Sequence, residues 1–555
     1  MTSLRFPVRL LAGLLAIAPP SLDAQPARRI APDSLHPYHP GVDVRSYGFR
    51  ITLPDSGRTI RGAATLALRR DPGTDTLRVD LLAPMVVDRV TVHGETRAAR
   101  RDSTRVHIPL RPSDGPIVRV DIRWHGIPSD GLIITEPVAG PENREWRAFG
   151  DNWPNRARHW LPTVDHPSDK ATVQWTIEAP SGLDVVANGV RTRRVTDATR
   201  TTWHFAMRQP IPTYLMVLGA ARMQETSLGR TACGHGLKGG CVPQSVWTFP
   251  EERDYAPGPF SEAGRIVSYF ATTATGFPYA RLAHLQSSTR FGGMENATAI
   301  FYSDKAFRSR DVGVRLIAHE TAHQWFGNAI SPRRWEDVWV SEGFATYWAA
   351  LYIRHSRGDS AYHADLRRVR DAVLAAKEVK DRPIVDTVGA REPLTLLNRN
   401  SYEKAGFVLR MLHAELGDSV FFRGIRAYQR RFRHGTATTD AFRHVMEQAA
   451  GRSLAPFFTQ WLHRPGTALL AVRWRQEAGA VVLTVRQETG VPYALPLDLV
   501  VTDRNGRSMR TAVRIGGQRV ETVRVPIGAH GDVTAVAFDP AVRLLGTVTA
   551  EREPQ

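Results

Sequence analysis

Two histidines four residues apart, with a glutamate beside the first, make the stretch of this chain with the clearest chemistry: His319-Glu320-Thr321-Ala322-His323. On a helix such a pair leaves one face, one turn apart, so both imidazoles can reach a single ion at about 2 Å. Glu320 then lies beside the ion and not on it, placed to take a proton from water held there. A further carboxylate, Glu342, follows in Trp339-Val340-Ser341-Glu342-Gly343-Phe344. With His319, His323 and Glu342 as ligands the fourth position of a tetrahedron stays open, which is the design of a catalytic zinc site with one Zn2+ per chain.

The pentapeptide alone is a weak signal, since His and Glu on a helix more often form a solvated face. Its surroundings strengthen it. Residues 311–330 read as an amphipathic helix whose apolar cover comes from Val314, Leu316, Ile317, Ala318, Ala322, Trp325 and Phe326. Residues 335–353 read as a second helix, rich in Trp, Val, Phe, Ala and Tyr. A glutamate buried in that company is costly unless a cation or an arginine meets it.

Two other stretches could join the site. Phe291-Gly292-Gly293-Met294-Glu295-Asn296-Ala297 offers two glycines that let a backbone approach closely, and an extended edge that could pair with a peptide. Glu295, on a strand ahead of the metal helix, could hold a cationic substrate group; the plain alternative is a turn with an incidental acid. In Ser401-Tyr402-Glu403-Lys404-Ala405-Gly406, Tyr402 begins a helix. Its phenol could donate to an oxyanion, or it could simply pack.

The elements that must position these residues follow from the pattern of the rest. A chain of 555 residues is too long for one core, and 42% hydrophobic with 23% charged residues is an ordinary globular balance. The excess of 73 Lys+Arg over 55 Asp+Glu gives +18, but the arginines are scattered, with no basic run or aromatic platform, so nucleic acid is not an expected partner. Residues 1–24 read as a secretory signal, with Arg5 and Arg9, an apolar run from Leu10 to Ala18, and Leu22-Asp23-Ala24 before the cut. No later stretch reads as a transmembrane segment. The expected location is therefore the periplasm or the extracellular space. Cys233 and Cys241 flank a glycine-rich loop and read as a disulfide, the rival being a small metal site with His235.

From 25 to 225 strand follows strand, as in Tyr47–Leu53, Ile117–Trp124 and Thr172–Glu178, with an Asn188-Gly189 turn, which predicts an antiparallel β-sandwich or saddle. Residues 226–250 read as a connecting loop carrying the cysteine pair. From 251 to 466 the period becomes helical, giving a mostly α catalytic domain, and strands return over 467–555 as a small C-terminal β-sandwich domain. The expected fold class is multidomain α+β.

Taken in series, Gly293-Met294-Glu295-Asn296, His319 to Asn328, Trp339 to Ala345 and Tyr402-Glu403-Lys404 resemble the gluzincin aminopeptidases typified by aminopeptidase N and the leukotriene hydrolase, over residues 42 to 466. The resemblance implies a thermolysin-like catalytic domain with zinc on His319, His323 and Glu342, and Glu320 as general base. It further implies that Glu295, with Gly292, Gly293 and Met294, grips the free α-amino group of a peptide, and that Tyr402 stabilises the transition state. Gly293 stands where the family has Ala, a change of small expected effect. Trp153 falls where the family's first subsite has an acid, with Asp151 and Asn152 as candidate substitutes. The implied activity is removal of N-terminal residues from peptides. The rivals are a zinc endopeptidase of the thermolysin type, which would cleave blocked peptides, and a peptide-binding scaffold of the same fold without catalysis.

Overall fold

The computed structural model describes residues 38–137, 145–232, 241–528 and 531–554. The secretory run 1–24, Cys233 and His235 fall outside the described residues; Cys241 is disulfide-bonded.

Alternation builds the first layer. In Val42–Thr52, Val44, Tyr47, Phe49 and Ile51 are buried while their neighbours turn outward, the period of two that a half-buried strand requires. This strand is central to an eight-stranded sheet in the order Val190–Thr196, Arg200–Pro212, Lys170–Pro180, Val42–Thr52, Ile60–Arg70, Ile117–Gly126, Met85–Val92 and Glu95–Thr96. A four-stranded sheet of Asp184–Ala187, Leu218–Ala221, Arg147–Gly150 and Leu132–Thr135 carries the layer towards the catalytic region. The sheet is not wholly antiparallel as the pattern predicted. Val42–Thr52 runs parallel to Lys170–Pro180, with Phe49 opposite Trp175, because more than a hundred residues separate the two strands and no hairpin fixes their sense.

Within 226–250 the described residues are likewise largely strand and not loop. Gln224–Thr231 and Val242–Thr248 form a hairpin that opens a five-stranded sheet continuing through Leu282–Ser287, Ala299–Ser303 and Gly293–Met294. The first of these strands is an edge, half exposed, so it tolerates Glu, Thr, Ser and Arg. The second is buried along nearly its whole length and shows no alternation to read. Gly293–Met294 lies at the opposite edge, as the glycine-rich stretch predicted.

Helices then take over: α1 (Ala263–Thr273), α2 (Val314–Ala322), α3 (Trp339–Ala375), α4 (Ala405–Phe432), α5 (Thr439–Ala450) and α6 (Ala455–Leu462). The metal-motif helix α2 is shorter than the amphipathic pattern predicted, because the chain turns at once after it, with Gly327 at φ 112°. Both long helices break at a glycine of positive φ, α3 at Gly358 (83°) and α4 at Gly417 (73°). α3 is pinned to the turn behind α2 by aromatic rings, Phe326 lying 4.6 Å from Phe344 and 4.5 Å from Trp348 between centroids. α4 comes close to α3 at Gly343, where a Cβ would meet that of Ala405 at 2.6 Å. That approach brings the start of α4 beside Glu342.

The half-buried Lys170 ties the large sheet to this region, its ammonium donating to the carbonyls of Asn328 (2.9 Å), Ala329 (3.1 Å) and Gly435 (3.0 Å). Beyond α6, two further sheets of four and three strands, from Ala468–Glu477 to Gly546–Arg552, form the C-terminal β domain. Among the described residues no helix is long and apolar enough to cross a membrane.

Candidate active site

One turn of α2 and the first turn of α3 bring three ligand atoms into a triangle. His319 Nε2 and His323 Nε2 are 3.1 Å apart, and each lies 3.3 Å from Glu342 Oε2. A tetrahedral ion with bonds of about 2.0–2.1 Å has ligand-to-ligand edges of about 3.3–3.4 Å, so the triangle already has the size that zinc requires. The tautomer agrees. His323 Nδ1 sits 3.0 Å from both the Phe326 carbonyl and Ser341 Oγ, so its proton is directed there and the Nε2 lone pair points into the triangle.

The electrostatics call for a cation. Glu295, Glu320 and Glu342 are all buried in the same cluster with the two imidazoles. Burial pushes the Glu320 carboxyl well above its usual range, with Glu295 and Glu342 adding to the rise and His323 opposing it. Glu295 moves the same way, first through burial. Burial lowers His319, while His323 is raised because the attraction of Glu342, Glu295 and Glu320 outweighs its burial. A divalent ion in the triangle would supply the positive charge that this carboxylate cluster lacks.

The residues of the other two motif stretches, Gly292, Gly293, Met294, Glu295 and Tyr402, line one cavity of about 590 Å³ with the triangle and Glu320. Gly292, Gly293, Met294 and Glu295 form its strand edge, and Tyr402 stacks on His319 with centroids 5.9 Å apart and planes 13° apart. Tyr402 belongs to a π-helical turn, Asn400–Lys404, ahead of α4 and not to the helix start that was predicted. Burial first, then the neighbouring carboxylates, keep its phenol protonated far above the usual range. Glu295 Oε1 is buried without a hydrogen-bond partner. The Gly293 substitution is less neutral than expected: a Cβ there would run into the Glu320 carboxylate, which occupies the space a side chain would take.

Other contributors carried no signal of their own in the sequence. The backbone carbonyl of Glu295 accepts from Gln324 Nε2 (3.0 Å) and Asn328 Nδ2 (2.7 Å), so the motif helix and its exit turn set the glutamate's position. Both residues lie within the His319–Asn328 run, which was the only available pointer. In the first-subsite region neither Asp151 nor Asn152 lines the cavity, but Trp153 does, packed edge-on against Phe291 (6.3 Å) and Trp335 (5.4 Å). Asn152 is spent on Trp160, Thr213 and Met216.

Comparison with known proteins places this geometry. Residues 88–215 match the peptidase M1 N-terminal domain and residues 262–461 the peptidase family M1 domain. Among curated relatives, a probable aminopeptidase 1 of Saccharolobus solfataricus is 25% identical over 63% of this chain and 46% of its own length. Aminopeptidase N of Streptomyces lividans is 25% identical over 91% of this chain and 60% of its own length. The chain thus spans about half the length of the curated relatives it matches. In fold it is similar to the crystal structure of a mutant M1 zinc metallopeptidase from Deinococcus radiodurans, at a TM-score of 0.67 and 23% identity, covering 77% of this chain and 95% of that one. With two domain models of one family matched in order over more than half its residues, this chain belongs to the M1 family of peptidases.

Proposed function

We propose that this protein is a zinc-dependent aminopeptidase, removing residues one at a time from the amino terminus of peptides. The observation that carries the reading is the Glu295 carboxylate: buried, without a partner on Oε1, and opening into the same cavity as the His319, His323 and Glu342 triangle. A buried carboxylate so placed asks for a cation other than the metal, and the free α-ammonium of a peptide is that cation. The ammonium held there fixes the first peptide carbonyl over the triangle and so counts one residue from the chain end.

The chemistry supplied by zinc when bound is Lewis-acid polarisation of the acyl oxygen and acidification of water. Glu320 takes the proton of the attacking water and passes it to the leaving amine, a role its raised proton affinity suits. Tyr402, kept protonated, donates to the oxygen that gains charge in the transition state. Trp153 and Phe291 close the cavity's apolar wall. The secretory run at 1–24 and the disulfide on Cys241 support an exported, periplasmic or extracellular protein.

The test is metal removal paired with Glu320→Gln. Chelation should abolish turnover and one zinc per chain should restore it, while Glu320→Gln should keep its zinc yet lose at least about a thousandfold in kcat. Turnover that survives in the metal-free protein or in Glu320→Gln would sink the reading.

A further inference from the structure

We propose that Arg315 and Arg368 receive the C-terminal carboxylate of the substrate, so that the cavity is built for peptides of about three residues. The inference rests on the aminopeptidase reading and adds the substrate's length and far end to it.

The argument starts from α2 as a ruler. Arg315, His319 and His323 follow one another at four-residue spacing and so lie along one face, each a turn from the next. Glu295 belongs to the His323 end: its acid oxygens group with those of Glu320 and with His323 within 4.8 Å, and its carbonyl is held by Gln324 and Asn328 just beyond. Arg315 marks the opposite end, two turns away, about 12 Å along the axis. An extended peptide advances about 3.3–3.6 Å per residue, so a chain anchored by its ammonium at Glu295 reaches Arg315 with its third or fourth residue.

Two cationic side chains line that end, in company with the acids Asp311 and Glu403. Arg315 and Arg368 both line the cavity, whereas Asp365, which they share, does not. Arg315 Nη1 bonds to Asp365 Oδ2, and Arg368 Nη2 lies 2.9 Å from Oδ1. One carboxylate behind two guanidiniums leaves most of their ten N–H donors unsatisfied by it, and the two side chains are 32% and 60% exposed. Of the acids that line the cavity with them, Glu403 is paired with Arg399 at 3.1 Å, and Asp311 is exposed to solvent. A planar carboxylate arriving from the triangle side meets two guanidiniums able to grip it in bidentate fashion. The cavity thus offers a buried carboxylate at the amine end and two guanidiniums with spare donors at the other, partners for the two ends of a short zwitterionic peptide.

The experiment compares kcat/KM of the zinc-loaded enzyme for one tripeptide as the free acid and as its C-terminal amide. The free acid should be preferred by about tenfold, mainly through KM. That ratio should fall towards one in Arg315→Met and in Arg368→Gln and persist in Arg368→Lys. Because it is a ratio within one preparation, it does not depend on how much of a variant folds. Equal cleavage of acid and amide by the unaltered enzyme, or a preference untouched by both substitutions, would overturn the proposal while leaving the aminopeptidase reading in place. Cleavage of neither peptide would overturn both.

Discussion

Replacing Lys170 by methionine would test how the large sheet supports the metal site. The lysine's three acceptors, at 2.9, 3.1 and 3.0 Å, belong to Asn328, Ala329 and Gly435, and the first two lie in the turn that follows His323. Burial alone pulls the ammonium down to about 7. The geometry opposes that pull, since three acceptors match the three N–H groups of an ammonium and an amine has only two. Methionine preserves the length of the side chain and removes all three donors. The Gly435 carbonyl keeps a bond from the Ser331 N–H (3.1 Å) and that of Asn328 a long one from Ser331 Oγ (3.4 Å), so the loss falls mainly on Ala329 and on the charge. At about 1–3 kcal/mol for a polar group left without its partner, the expected destabilisation is roughly 2–3 kcal/mol. The same turn presents the Phe326 carbonyl to His323 Nδ1, so zinc affinity should fall as well, by about tenfold. Urea denaturation and zinc titration read the two effects. A denaturation midpoint and a zinc affinity both equal to those of the unaltered protein would refute the reasoning.

Other perturbations have equally definite outcomes. Ser341→Ala leaves His323 Nδ1 with the Phe326 carbonyl alone and should weaken zinc binding by less than about tenfold, measured by competition with a chromogenic chelator. Tyr402→Phe should lower kcat by about a hundredfold with KM little changed, because its hydroxyl acts on the transition state; a change confined to KM would contradict that role. His284 is fully buried between the Tyr302 hydroxyl (3.0 Å) and Gln244 Oε1 (3.5 Å), and burial holds its imidazole down to about 3. Its folded-state value lies below its unfolded one, so the unfolded chain binds the extra proton between about 6.5 and 3. The stability His284 provides is therefore present above pH 6.5 and drains away at up to about 1.4 kcal/mol per unit as pH falls through that window. His284→Gln should flatten the acid limb of the stability profile, and an unchanged limb would rule the histidine out as its source.

The chemistry was legible in the sequence where spacing on one helix determines geometry. His319 and His323 had to share a face, and Glu342 had to be paid for by a cation once its apolar neighbours were buried. Strand alternation revealed the amino-terminal layer and most strands of the carboxy-terminal one. What the sequence hid has physical reasons. The parallel sense of Val42–Thr52 against Lys170–Pro180 leaves no mark on either strand, and Val242–Thr248, buried on both faces, shows no alternation. The contact between Gly293 and Glu320 joins residues from a strand and a helix, and only the fold shows that a side chain at 293 would crowd the carboxylate. The π-helical turn at Tyr402 lies just ahead of Ala405, where α4 packs against Gly343, and local propensity records neither feature. Lys170 carries no signal in the sequence, because its three acceptors are carbonyls, which every residue carries.

The most direct test of the account is the kcat/KM of the zinc-loaded protein for one short peptide with a free and with an acetylated amino terminus. Removing the charge that Glu295 receives should cost about 3–5 kcal/mol, a preference for the free form of at least a hundredfold that collapses in Glu295→Ala. Equal cleavage of the two forms would contradict the amine anchor and make the protein an endopeptidase.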